Sequence, residues 1–149
     1  MKWLFKEDHE KEEIEIVITK ESYDQEVATL VNYLQVFKAM KTDVLAVKTE
    51  DSIQLLKLAD IIAVEVDGDY LDIMTSQGQY RTRERLYKLK DKLPVSHFIQ
   101  VSKQSVINIK HLIRLEASFS GNMLAVLSQK HKVIISRRYV KELEKSLGL

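Results

Sequence analysis

The side chains with the most chemistry to offer in this sequence are basic, and they fall at the ends of predicted elements. In "VIISRRYVKEL", residues 133 to 143, a strand-like apolar run ends at Ser136, a good helix N-cap, so Arg137 and Arg138 fall in the first turn of a helix. That end already carries about half a positive charge from the backbone dipole and favours acidic side chains. The repulsion, a few tenths to ~1 kcal/mol, is offset when an anion arrives. Backbone N–H groups beside guanidinium forks suit a phosphate or the edge of a guanine. Lys103 follows Ser102 where the chain leaves the strand "FIQVS", and Lys130, His131 and Lys132 occupy a hairpin tip. From such edges side chains reach into grooves. The alternative is that the arginines pair within the fold, with Glu142 or Glu144, Arg138 and Glu142 being a weak i, i+4 pair, or with an acidic N-terminal unit. The residues alone leave both open.

Catalytic constellations are missing. Four glycines scattered at turns supply neither a phosphate loop nor a dinucleotide fingerprint. His9, His97, His111 and His131 show no i, i+4 pairing and no acidic companion at metal-ligand spacing. Asp67, Asp69 and Asp72 resemble a cation ladder, but the loop length and terminal Glu of an EF-hand are lacking, and a tight hairpin accounts for Asp67. With no cysteine, disulfides, thiol chemistry and cysteine-bound zinc are excluded. The expectation is a non-enzymatic protein with no cofactor, no metal and no small-molecule substrate.

A chain of 149 residues is enough for one ordinary core or one domain with an appendage. At 45% apolar and 30% charged it has a globular composition rather than a disordered one. The apolar run "MLAVL" is far short of the ~20 residues that span a bilayer. "MKWLFKEDHEKEE" turns charged too soon for a signal peptide, and with no cysteine the expected location is the cytoplasm. The net charge of +1 hides a gradient: residues 1–50 carry 7 − 11 = −4, residues 51–96 carry 7 − 8 = −1, and residues 97–149 carry 9 − 3 = +6. Either the C-terminal part meets an anionic partner, or an acidic front complements a basic back within one fold.

The elements that must hold these residues follow from periodicity. "IEIVIT" at 14–19 alternates and is β-branched, predicting a strand; Tyr23, Val27, Leu30, Val31, Leu34 and Phe37 predict a helix over 22–40, with a Ser22–Gln25 capping box. From residue 44 the period becomes two. "VLAVKT" and "SIQLLKL" form one hairpin, "IIAVEV" and "YLDIMT" another around Asp67-Gly68, and a turn at 76–78 leads into "QYRT". A short helix at 84–92 buries Leu86, Leu89 and Leu93 and is stopped by Pro94. "FIQVS", a compact "KQSVINIKH" segment, "LIRLEA", a turn at 120–122, "MLAVLS" and "KVIIS" follow. A last helix over 137–147 buries Val140, Leu143 and Leu147 and stops at Gly148. The fold class is α+β: a strand–helix unit over 1–43, for packing, dimerisation or partner binding, precedes a mainly antiparallel β domain over 44–149 with two short helices.

From Ser52 to Leu149 the strings "LADIIAVEVDGDYLDI", "RERLYKLKDKLPVSHFIQVSKQSVINIKHLIRLE" and "VIISRRYVKELEKSLG" resemble, in this order, the LytTR family of bacterial DNA-binding domains. The resemblance implies a mainly β fold that reads double-stranded DNA with loops in successive major grooves and bends the duplex between them. It implies contacts from the hairpin around Asp69 and Tyr70, from Ser102, Lys103 and Gln104, and from Arg138. The acidic surroundings of Tyr70 leave that region as either a contact or a turn. Asn108, between apolar neighbours, is read as capping its segment, and Phe98, Val106, Ile107 and Ile109 as core. The residues before the match lack the strand–helix repeat of a receiver domain, so control by aspartyl phosphorylation is not expected. Short members of this type resemble regulators held in check by a membrane-protein inhibitor.

The expected function is a sequence-specific transcriptional regulator, binding repeated half-sites as a homodimer. The alternatives are an RNA or single-strand binder, for which only Phe119 and Tyr139 are placed to stack on bases, and a protein-interaction module using the basic face.

Overall fold

Residues 1–39 and 43–149 are described by the computed structural model, with side chains described for 1–37 and 43–149. The predicted end of the first helix at Met40 and the approach to the predicted boundary at 43/44 fall partly outside them. The chain divides into two units, Met1–Leu34 and Gln35–Leu149.

Helix α1 spans Gln25–Ala39. It starts later than the capping box predicts, because Asp24 takes the cap: its Oδ1 accepts from the Val27 N–H at 3.1 Å. Lys20 Nζ in turn bonds Asp24 and Glu26, at 2.5 and 2.6 Å, which raises the lysine pKa and lowers that of Asp24. Val27 is buried, whereas Tyr23 and Phe37 are exposed. Residues 14–19 form no strand, contrary to their alternating pattern. β-branched residues favour extended backbone, but a strand exists only where a neighbour completes its ladder.

The second unit is built of antiparallel pairs. Strands β1 (Val44–Lys48) and β2 (Ile53–Lys57) form a separate hairpin. A five-stranded sheet has the order β5-β4-β3-β7-β6, from β3 (Ile61–Asp67), β4 (Tyr70–Thr75), β5 (Gly78–Thr82), β6 (Phe98–Ser102) and β7 (Ser105–Asn108). The "KQSVINIKH" segment is thus a strand and a single 3₁₀ turn, hydrogen-bonded between β3 and β6. A three-stranded sheet has the order β10-β9-β8, from β8 (Leu112–Ala117), β9 (Met123–Leu127) and β10 (Lys132–Ile135). Helix α2 covers Leu86–Lys90 and α3 covers Arg137–Ser146.

The five-stranded sheet is buried on both faces. Leu45, Val47 and Leu56 of the hairpin and Leu89 and Leu93 around α2 pack with Val64, Ile73, Phe98 and Val106. Ala125, Leu127, Val133, Ile135 and Leu143 pack with Ile62, Ala63, Val101 and Ile107. A bulge between Ile61 and Ala63 places the adjacent residues Ile62 and Ala63 in the same core, which strict alternation forbids. Leu147, predicted to be buried, is exposed. It sits at the C-cap, where Leu149 N–H bonds Glu144 O and Gly148 N–H bonds Lys145 O around the left-handed Gly148. This Schellman closure turns the chain away from the core.

Candidate nucleic-acid interface

Three predicted contact regions meet at one end of the five-stranded sheet. The β3–β4 turn holds Gly68 and Asp69, with Gly68 at φ +61°, the pattern of a two-residue hairpin with glycine first. The β6–β7 turn holds Lys103 and Gln104, both exposed. Val66 N–H donates to Gln104 O at 2.8 Å, and Ser105 Oγ to Glu65 at 3.3 Å, so the turns lie side by side. Ser102 Oγ accepts from the Gln104 N–H at 3.1 Å, which makes it the brace of the turn. The start of α3 joins them through Ser136, whose N–H donates to Val101 O at 2.8 Å.

Ser136 is the N-cap residue of α3 but makes no side-chain cap bond. The capping oxygen comes from the β8–β9 turn, where Asn122 Oδ1 accepts from the Arg137 N–H at 3.0 Å. Arg137 lies so close over Gly121 that a Cβ there would approach its Cδ to 2.7 Å. Arg138 is exposed, and among the described residues of the second unit neither arginine pairs with Glu142, Glu144 or another carboxylate. Pairing with Glu142 or Glu144 is therefore not realised.

Tyr70 opens β4, and two of the three aspartates around it are paired by a residue that sequence reasoning passed over. Arg81, opposite Asp72 in the β4–β5 register, reaches Asp67 at 3.0 Å and Asp72 at 3.6 Å. Its guanidinium lies 4.6 Å from the centre of the Tyr70 ring, within cation–π range. A shallow cleft of about 270 Å³ separates the β3–β4 and β6–β7 turns from the start of α2, with Asp69, Lys103, Arg85 and Tyr87 on its walls.

Residues 51–148 match the family model of the LytTr DNA-binding domain. The chain belongs to the LytTR family. It is similar to the sensory transduction protein LytR of Staphylococcus epidermidis, 32% identical over 73% of this chain and 43% of that protein. It is also similar to the sensory transduction protein LytT of Enterococcus faecalis, 31% identical over 94% of this chain and 57% of that protein. The chain thus spans about half the length of the curated relatives it matches. Among solved structures, the LytTr DNA-binding domain of a methyl-accepting/DNA response regulator from Bacillus cereus superposes with a TM-score of 0.66. That match covers 72% of this chain and 99% of that domain at 18% identity, so it speaks to the fold, which is α+β and mainly antiparallel.

Not every basic residue of the LytTR domain lies at this end. Lys130, His131 and Lys132 sit at the β9–β10 tip, where Gln129 Nε2 donates to Ser76 O at 3.0 Å in the β4–β5 turn. Both β4 and β9 run the length of their sheets, so this tip is at the far end from the β3–β4 turn. Gln129 and Lys130 have φ values of +57° and +63°. His111 braces the tip: its Nε2 bonds Ala59 O at 2.6 Å and its Nδ1 meets Ser128 Oγ at 3.0 Å. A carbonyl only accepts, so Nε2 carries the proton in that bond.

Asn108 is structural, as its neighbours imply. It is buried, its Nδ2 donates to Ile61 O at 2.9 Å, and its Oδ1 accepts from the Lys110 N–H at 3.0 Å. His97 is held below its usual imidazole value by burial and by Lys110, which favours the neutral ring. Among the described residues no group of carboxylates and histidines could hold a metal, and no helix is long and apolar enough to cross a membrane. Arg81 could have been found from the hairpin register. The Asn122 cap could not, since its partner is remote in sequence and the turn alone does not point to it.

Proposed function

We propose that this protein is a sequence-specific transcriptional regulator that binds double-stranded DNA with the end formed by the β3–β4 turn, the β6–β7 turn and the start of α3. The observation that carries the reading is the convergence of exposed Lys103, Gln104 and Arg138 at one end, with neither arginine of the α3 start paired to a carboxylate among the described residues of the second unit. In this reading Arg138 contacts a base edge, Lys103 and Gln104 contact base or phosphate in the neighbouring part of the groove, and Ser102 holds their turn. Tyr70, steadied by Arg81, flanks them. Arg137 positions the helix start and the β8–β9 turn. Two copies on repeated half-sites would place the same end in successive major grooves.

Tyr139 of α3 is half-buried against the core, which weighs against a stacking platform for single strands. The protein would act in the cytoplasm, with the N-terminal unit available to a second copy or an inhibitory membrane protein through exposed Tyr23 and Tyr33. Selection of bound duplexes from a random library, followed by competition with single strands, tests the function. Recovery of no preferred duplex would sink it. Size measurement with and without residues 1–43 tests dimerisation.

A further inference from the structure

Phe119 is 88% exposed at the β8–β9 turn. The residues after it, Ser120 and Gly121, have φ values of +56° and +79°, and the serine adopts a conformation that L side chains avoid. The turn is held tightly nonetheless. Ser118 N–H bonds Asn122 O and Asn122 N–H bonds Phe119 O, both at 3.0 Å. Asn122 caps Arg137, whose side chain lies across Gly121. A strained, doubly anchored turn therefore carries an exposed phenylalanine, and through Asn122 that turn is bonded to Arg137, the residue before Arg138. A ring there gains nothing from the core and costs water an apolar surface.

We propose that Phe119 is an apolar contact to duplex DNA, its ring covering a thymine methyl or a deoxyribose in the groove that Arg138 enters. This rests on the duplex-binding reading above. Phenylalanine against the thymine methyl is a known form of direct readout, and the deoxyribose face is apolar in the same way. Neither contact displaces counterions, so it should be distinguishable from that of a cation.

The test titrates the full chain, as wild type, Phe119→Ala, Phe119→Leu and Lys103→Ala, against its selected duplex at several salt concentrations. Phe119→Ala should bind about tenfold more weakly with the salt slope of the wild type. Phe119→Leu should recover most of the loss, while Lys103→Ala should flatten the slope by about 0.9. Thermal melting of Phe119→Ala should match the wild type, because the ring is solvent-exposed. A duplex with deoxyuridine replacing thymidine identifies the target: a loss in wild type but no further loss in Phe119→Ala means the methyl. An unaffected wild type with Phe119→Ala still weaker means the sugar. Wild-type affinity in Phe119→Ala, or an altered slope, overturns the inference while leaving duplex binding intact. If the wild type binds no duplex, both readings fail.

Discussion

The two ends of the sheet domain carry similar charges on similar turns, yet they are built differently. At one end Lys103, Gln104, Arg138 and Phe119 are exposed on turns that brace one another through backbone and capping bonds. At the other end Lys130 and Lys132 stand on a tip that is tied to the five-stranded sheet by Gln129 to Ser76 and, through His111, by Ser128 to Ala59. The proposed DNA surface rests on this difference, since at one end separate turns arrive at one place with their charged groups exposed.

The sharpest way to break this comparison is Arg138→Ala. Loss of a bidentate base contact should cost about 1–3 kcal/mol of binding and relax preference at one base step. Unchanged affinity in a binding titration would remove the key contact from this end. Asn122→Ala should cost about 1 kcal/mol of folding stability, typical for loss of a helix cap, read by chemical denaturation. It should weaken DNA binding as well, because the same bond sets the start of α3; stability loss without binding loss would separate the cap from the interface. Lys103→Ala should reduce the dependence of log K on log salt by about 0.9, whereas an unchanged slope would assign Lys103 no phosphate. The smallest effect is expected at the opposite end. Lys130→Gly relieves a left-handed non-glycine residue and should stabilise the fold by up to about 1 kcal/mol, leaving both affinity and salt slope unaltered. A fall in affinity would move the DNA surface to include the tip.

The hairpins and both short helices were legible because each is closed by local information. Asp67-Gly68 marks a turn, Pro94 follows the α2 segment, and Gly148 marks the C-terminal closure of α3. Residues 14–19 misled for the converse reason: β-branched alternation reports a preference for extended backbone, while a strand is completed only by a neighbour. The bulge at Ile62 was invisible for a related reason, since the pattern "IIAV" does not say which residue is the extra one. In the candidate site, Arg138 was legible as an unusual charge on a helix start. Ser136 is the N-cap residue as read, but the side-chain oxygen that accepts from the helix start is that of Asn122, remote in sequence and near in space.

By itself the sequence determined the hairpins and helices of the β domain, the family and the basic character of the C-terminal part, all properties carried by short-range pattern and composition. Only the tertiary structure decided which charges share a surface. It brought Lys103 and the start of α3 together, spent Arg81 on Asp67 and Asp72, and sent Lys130 and Lys132 to the far end. The physical reason is that strand order and the direction in which each hairpin runs are set by nonlocal pairing and core packing, and a side chain's spacing along the chain carries no record of either.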